Sequence, residues 1–275
     1  MKAYSLIRQQ PWYRREAFAS GLRKAGYEVL MRSPDRAQSG DVLVIWNRYA
    51  GNHEIATRFE HEGGRVFVAE NGYVGHEGTS PKFDVHPGGP QPHHYYALAW
   101  GGHNGQGAWP MGDASRLEEL ALPKESLRGD GHVLVLPNRS FGIPGRIMPS
   151  DWPMKTAARL RKQTKREVRV RAHPGNNAPK RPLTEDLKGA WATVVWTSGA
   201  GVHAIIRGIP TFCDAPFWIM KGAAASGQVD EPTVPDQTPH LVSMAWAQWK
   251  ISEIESGAAF AALLKEDASG NATIR

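Results

Sequence analysis

The sequence predicts an α/β protein with two parallel-sheet domains, and three observations lead to that prediction. Short apolar runs alternate with amphipathic helical patterns along most of the chain. The runs DVLVIWN and HVLVLPN are almost wholly apolar, as strands buried on both faces of a parallel sheet are. A Gly-, Pro- and His-rich stretch, residues 75–115, interrupts the alternation. The chain of 275 residues can hold two domains of about 100–150 residues each.

The first half reads as three strands joined by two helices. The predicted elements are, in order, the strand AYSLIR, the helix REAFASGLRKAGY, the strand DVLVIWN, the helix HEIATRFEHEGG and the strand RVFVAENG. Glycines end both helices, which is the usual stop signal. Strand and helix alternating over fewer than about eighty residues indicates parallel βαβ units.

The second half resumes the same alternation. Its predicted elements are the strand HVLVLPN, the helix DWPMKTAARLRKQT, the strand REVRVRAH, the helix LTEDLKGAW, the strand TVVWTS, the helix AGVHAIIRGI, the strand PTFCDA and a long helical end, LVSMAWAQWKISEIESGAAFAALLKE. We therefore expect two Rossmann-like domains that face each other across a cleft. Their expected ranges are residues 1–128 and 129–250, and a C-terminal helix over 251–275 is expected to return to the first domain.

Composition narrows the class of protein. Hydrophobic residues make up 41% and charged residues 22%, which is ordinary for a globular protein. No apolar run reaches the ~18 residues of a membrane span, and no secretory apolar core precedes Arg8. The single cysteine, Cys213, excludes an internal disulfide and agrees with a cytoplasmic location. A net charge of +6 favours polyanionic partners or anionic ligands, although a solvated basic surface explains it equally well.

Three short motifs follow predicted strands, where parallel sheets bind ligands. Thr197, Ser198 and Gly199 lie where a strand becomes a helix, and the free N–H groups of a first helical turn attract anions. His173 ends another strand and could bind a phosphate. Glu70 ends a strand of the first half and could act as a general base. Each also has a purely structural explanation: a serine N-cap, a loop histidine and a turn carboxylate bonded to its own backbone.

Taken in order, these motifs resemble those of bacterial sialyltransferases and capsule-polysaccharide glycosyltransferases of the two-domain GT-B fold. The matching positions are Glu70-Asn71-Gly72, His173-Pro174 and Thr197-Ser198-Gly199. The resemblance implies that Glu70 is the catalytic base and that the other two motifs hold the phosphates of a nucleotide-sugar. We add Arg139 and Arg171 to the expected phosphate ligands. The sequence departs from the pattern at Asn71, where a second acid is frequent, and at Gly199, where Ser or Thr occurs.

A second resemblance runs along most of the chain, to glycosyltransferases encoded by phages. It rests on the runs DVLVIWNRY, VAENGY, HNGQGAW, RVRAHPG, SGAGVHAIIRGIP and AQWKISEIESG. It implies a donor such as UDP-glucose, a location in the host cytoplasm, and phage DNA as acceptor, glycosylated on a 5-hydroxymethylpyrimidine. Such an enzyme must flip the base out of the duplex. The residues we expect to contact acceptor or DNA are Arg8, Trp12, Arg14, Arg15, Asn47, Arg48, Asn71, His103 and Asn104.

The basic residues give this acceptor partial support. RQQPWYRREAF places arginines beside aromatics, and RLRKQTKREVRVR is a basic run, although a solvated basic face explains the run as well. The eleven histidines, some of them clustered at His86, His93, His94 and His103, match no metal-ligand spacing, and no Asp-x-Asp is present. We therefore expect a metal-independent transferase without a cofactor. Two alternatives stay open: a glycosyltransferase acting on a carbohydrate, and a non-catalytic nucleic-acid-binding protein.

Overall fold

The computed structural model describes residues 1–75, 95–143, 145–173 and 181–268. The strands are β1 (Lys2–Ser5), β2 (Glu28–Leu30), β3 (Val42–Trp46), β4 (Arg65–Asn71), β5 (Tyr95–Trp100), β6 (Arg128–Leu136), β7 (Val168–Val170), β8 (Ala190–Val195), β9 (Thr211–Cys213), β10 (Ser226–Gln228), β11 (Glu231–Thr233) and β12 (Gln248–Lys250). The helices are α1 (Arg15–Lys24), α2 (Gly51–His61), α3 (Ser115–Glu119), α4 (Trp152–Gln163), α5 (Leu183–Leu187), α6 (Gly199–Ile206), α7 (Thr238–Trp246), α8 (Ile251–Ser256) and α9 (Ala258–Ala268). Short 3-10 turns lie at Pro11–Tyr13 and Lys221–Ala223.

The first sheet has six strands in the order β12-β5-β4-β3-β1-β2. Strands β1 to β4 pair in parallel, whereas β5 and β12 are antiparallel to their neighbours. The first sheet is therefore parallel except at this edge. The strand β5 lies inside the stretch that we predicted to be irregular. All six of its residues are buried, so it lacks the alternation that marks a strand in sequence.

The second sheet has four strands in the order β7-β6-β8-β9, all parallel. Its central strands are apolar and buried on both faces, with Val133, Val135 and Val194 on one side and Leu134 and Leu136 on the other. The fold class predicted from sequence, α/β with parallel sheets in a GT-B-like arrangement, is confirmed.

The chain returns to the first sheet at its C-terminal end. The run predicted as one long helix is broken into α7, the strand β12, α8 and α9. The strand β12 pairs with β5, so the crossing precedes Gln248 and not residue 250. Gly21 of α1 meets the backbone of Ile254 so closely that a side chain there would collide with it, and Phe260 packs on Phe18. Among the helices in the described ranges, none is both long and apolar enough to cross a membrane.

Candidate functional site

Each sheet changes the direction of its strand order at two central strands, β1 and β3 in the first sheet and β6 and β8 in the second. Ligands of open α/β sheets bind in the crevice beyond the carboxyl ends of such strands. The chain leaves β3 through residues 47–50 and leaves β8 through residues 196–198. These two strand-to-helix turns are the expected walls of a site.

Three contacts join loops of the first half of the chain to loops of the second half. The rings of Tyr49 and Phe141, one from each half, stack with centroids 5.7 Å apart and planes 17° apart. Arg146 donates to the side chain of Gln106 at 2.9 Å. Asn104 Nδ2 donates to the carbonyl of Thr197 at 2.8 Å. The loop after β3 thus meets the loop after β6, and the loop after β5 meets the turn after β8; we call the space between these loops the cleft.

The turn Thr197–Gly199 presents backbone to this cleft. Ser198 is the N-cap of α6, and its Oγ accepts from Ala200 N at 3.3 Å. Thr197 N donates to Asn138 Oδ1 at 3.5 Å. Gly199 is exposed, and no atom lies within 4 Å of the position that its Cβ would occupy. Ser198 therefore acts as a helix cap. Gly199 leaves the start of the helix open, so that an anion could approach its backbone.

Basic groups lie close to one another after β6 and β7. Burial, together with the charges of Arg139 and Arg171, lowers the pKa of His173 to about 4. Arg171 is itself paired with Asp186 and donates to the carbonyl of Arg181 at 2.8 Å. Its charge is therefore partly neutralised by the fold, whereas Arg139 is exposed and lies over the ring of Phe141 at 5.3 Å. A bound phosphate would add the negative charge that this cluster favours.

Glu70 lies near the carboxyl end of β4, in the first sheet. Its Oε1 accepts from the N–H of Asn71 at 3.0 Å, so the turn has the local bond that a structural carboxylate makes. Burial lowers the pKa of His103, and the charge of Glu70 opposes that shift. Burial also raises the pKa of Tyr73, with Glu70 adding to the rise. Glu70 therefore stands beside an imidazole and a phenol that are both neutral near pH 7.

The residues expected to contact an acceptor or DNA are spread over several environments. Arg8 is exposed and donates to Tyr13 Oη at 3.0 Å and to Tyr49. Trp12 is half-buried, and its carbonyl accepts from the hydroxyl of Tyr96. Arg14 is exposed and has a left-handed backbone, with φ 52°.

Arg15 and Arg48 are less available than the sequence suggested. The Nε of Arg15 lies 3.4 Å from the sulfur of Met31. Arg48 is 8% exposed, pairs with both carboxylate oxygens of Glu60 and donates to the carbonyl of Gly101 at 2.5 Å. Because this guanidinium is turned into the fold, it lacks the exposure that a phosphate contact needs.

The remaining residues of that group lie closer to the cleft. Asn47 has φ 51°, and its N–H bonds to the carbonyl of Ala69. Asn71 pairs with Tyr96 in the β4–β5 ladder. His103 lies beside Glu70, as described above, and Asn104 is bonded across to the second sheet.

Sequence reasoning missed several residues that shape the site. Three of them follow the carboxyl ends of β3 and β6, namely Tyr49, Phe141 and Arg146. Their position after predicted strands could have identified them as candidate site residues. Tyr73 directly follows Glu70-Asn71-Gly72, but nothing in the sequence shows which group its hydroxyl bonds to. Within the described residues, no three His, Cys, Asp or Glu side chains converge as metal ligands, and metal independence stays a prediction. His86, His93, His94 and Pro174 lie outside the described residues.

Comparisons with known proteins show that the chain shares its fold with solved structures. Neither a protein family nor a curated protein matches the chain in sequence. Among solved structures, the Thermosulfurimonas dismutans KpsC β-Kdo 2,7 transferase matches with a TM-score of 0.54 at 14% identity, covering 97% of this chain and 100% of that one. The KpsC β-Kdo 2,4 transferase of the same organism matches with a TM-score of 0.53 at 11% identity, covering 88% and 89%. At such identities the likeness shows a shared fold, here over nearly the whole chain.

Proposed function

We propose that the protein is a glycosyltransferase that moves a sugar from a nucleotide-activated donor to a hydroxyl group of a carbohydrate. The observation that carries the proposal is the link from the turn after Glu70 to the start of α6: the N–H of Asn104 bonds to Tyr73, and its side chain bonds to the carbonyl of Thr197. A carboxylate, Glu70, an open helix start at Gly199 and the basic residues around His173 are groups that such a transfer would use. The same fold in two Kdo transferases supports this chemistry.

In the proposed reaction the donor phosphates bind at the N-terminus of α6. The backbone around Gly199, the exposed Arg139 and a neutral His173 that donates a hydrogen bond stabilise the negative charge of the leaving phosphate. Glu70 accepts the proton of the acceptor hydroxyl as its oxygen attacks the anomeric carbon. A single displacement of this kind inverts the anomeric centre. A product with the donor's own anomeric configuration would exclude the one-step role of Glu70.

A carbohydrate acceptor fits the arginines better than DNA does. In the basic run that suggested a nucleic-acid surface, Arg159 pairs with Asp214 at 2.6 Å and Arg169 with Glu167 at 2.6 Å. Arg166 lies over the ring of Trp191 at 4.0 Å. Arg48 is also turned inward, so these four arginines are less available to phosphate groups than the sequence suggested. The proteins that share the fold are named for transfer of Kdo, a sugar.

The test is a transfer assay on the full chain. Nucleoside mono- and diphosphate sugars, including activated Kdo and UDP-glucose, are offered with a set of oligosaccharides and with hydroxymethylpyrimidine DNA. Products are read by mass spectrometry. We expect a sugar-sized mass gain on an oligosaccharide. A gain on DNA alone would replace the acceptor that we propose. No gain together with no nucleotide-sugar binding would overturn the enzymatic proposal and favour a non-catalytic protein.

A further inference from the structure

We infer that Gln248, Tyr73 and Asn104 form a clamp that locks the Glu70 turn to the Thr197–Gly199 turn, with Asn104 and Gln248 as positioning residues. The three side chains make one chain of hydrogen bonds from the C-terminal crossover strand to the opposite wall of the cleft. The clamp is a property of the fold, and only its effect on turnover rests on the proposed function.

The clamp starts at Gln248, which is fully buried in β12. Its Oε1 accepts from the N–H of Tyr73 at 2.8 Å and from that of Val74 at 3.1 Å. Its Nε2 donates to the carbonyl of Val74 at 3.2 Å. One side-chain amide therefore holds three backbone groups of the turn that follows Glu70. A buried amide of this kind fixes the turn, because leaving any of these groups unpaired in the interior is costly.

The middle link is the hydroxyl of Tyr73, which accepts from the N–H of Asn104 at 2.9 Å. The turn at Gly72, which precedes Tyr73, is held close to the start of β5. A Cβ on Gly72 would lie 2.7 Å from the carbonyl oxygen of Tyr95, so the two backbones already touch. The hydroxyl thus carries the position of the Glu70 turn to the loop after β5.

The last link is Asn104. Its Nδ2 donates to the carbonyl of Thr197 at 2.8 Å, and its Oδ1 accepts from the N–H of Ile219 at 3.4 Å. Its backbone is left-handed, with φ 54°, a conformation that asparagine adopts more readily than most residues. The next residue, Gly105, has φ 85°, and a Cβ there would lie 2.6 Å from the backbone of Trp218. The loop is therefore pressed against the second half of the molecule.

This arrangement has a direct consequence for chemistry in the cleft. The separation between the carboxylate and the start of α6 is set by side chains of the protein before any ligand binds. A reacting group displaced by about 1 Å can cost about a hundredfold in rate. Loss of the clamp should therefore reduce turnover more than it weakens donor binding.

Amide hydrogen exchange on the full chain tests the clamp without reference to activity. Asn104→Gly removes both side-chain bonds but keeps the N–H and permits the left-handed backbone. Tyr73→Phe removes the middle link. For both variants we expect exchange in residues 197–201 to be faster by about three- to tenfold, the effect of losing one hydrogen bond. Tyr27→Phe is the matched control, since Tyr27 is buried in the first half beside Arg65 and Asp41. Unchanged exchange over 197–201 in either clamp variant would overturn the inference.

Kinetics give the second readout once a transfer activity is found. We expect Asn104→Gly and Tyr73→Phe to lower kcat at least tenfold while the donor KM stays within about twofold. Tyr27→Phe should change neither constant. Faster exchange with unaltered kcat would show that the bonds stabilise the fold and position nothing. If no transfer is ever detected, the proposed function fails, and the exchange result still decides whether the clamp exists.

Discussion

The two strand-to-helix turns that border the cleft occupy equivalent places in their sheets but are built differently. The first, from β3 to α2, contains two non-glycine residues with positive φ, Asn47 at 51° and Ala50 at 48°. Its helix begins without a side-chain cap. The second, from β8 to α6, has Ser198 in an extended conformation with its side chain capping the helix.

The difference indicates that the two turns have different functions. The second turn has a relaxed backbone and is open at Gly199, where we propose that the donor phosphates bind. The first turn contains a strained residue, Ala50, whose backbone conformation costs on the order of 1–3 kcal/mol. Arg48 points inward and Tyr49 reaches Phe141 across the cleft. We therefore expect substitutions in the second turn to affect ligand binding, and those in the first turn to affect stability.

The largest expected effect comes from Glu70, across the cleft from the second turn. Glu70→Gln removes the proposed base and keeps the size of the side chain. Turnover should fall by about 10²–10⁴-fold, with donor affinity retained, because general base catalysis contributes that much. Steady-state kinetics and calorimetric titration of the donor measure both. A loss of donor affinity instead would place Glu70 in the nucleotide site.

Arg48 tests the structural role of the first turn. Arg48→Leu leaves Glu60 and the carbonyl of Gly101 without their partner in a largely buried setting. We expect the free energy of unfolding to fall by about 2–4 kcal/mol in urea titrations. The control is Arg32→Leu, which breaks an exposed ion pair with Asp35 and should leave the free energy of unfolding nearly unchanged. Equal effects of the two substitutions would contradict the inward role of Arg48.

His173 links the basic cluster to pH. Its pKa of about 4 in the folded protein lies below the ordinary value of 6.5, so the unfolded chain binds the proton more readily. Its contribution to stability is complete above pH 6.5 and is lost as the pH falls towards 4, by about 1–3 kcal/mol. His173→Gln should flatten this part of the stability profile in urea titrations across pH. The exposed His61→Gln serves as control, and parallel profiles for wild type and His173→Gln would disprove the assignment.

Gly199 tests whether the second turn is a ligand site. Gly199→Val adds a side chain where the fold has room, so the melting temperature should stay the same. Affinity for a nucleotide donor should fall about tenfold, or about 1.4 kcal/mol, because the side chain blocks approach to the backbone. Gly201→Ala is the contrasting variant: its Cβ would lie 2.7 Å from Val195, and it should destabilise the fold. Unimpaired nucleotide binding by Gly199→Val would move the anion site elsewhere.

Ala50 gives the smallest expected effect. Its backbone, with φ 48° and ψ −136°, suits glycine. Ala50→Gly should raise the free energy of unfolding by up to about 1 kcal/mol, since relief of strain exceeds the added chain entropy. In the interior of the same helix, Ala56→Gly should lower it by about 1 kcal/mol. Destabilisation by both glycines in urea titrations would show that the first turn is not strained.

The parts of the fold that could be predicted are those with local signals. Apolar runs between turn residues identify β3, β4, β6 and β8, and the carboxyl ends of such strands point to Glu70, His173 and Ser198. The strand β12 could not be found, because three residues between two helical patterns become a strand only by pairing with β5. The side chain of Arg48 points into the protein because it pairs with Glu60. The role of Gln248 depends on a backbone turn about 175 positions earlier in the chain. Such partners are set by tertiary structure, which a single sequence does not display.

The return of the chain to the first sheet also sets an order of events during synthesis. The strand β12 and helices α8 and α9 complete the first sheet and its core, yet the ribosome makes them after every residue of the four-stranded sheet. Domains generally fold as units when their residues are available. The half of the protein that is translated first must therefore wait for residues 248–268, whereas the second half can fold earlier. A nascent chain that stops before Gln248 also lacks the side chain that holds the turn after Glu70.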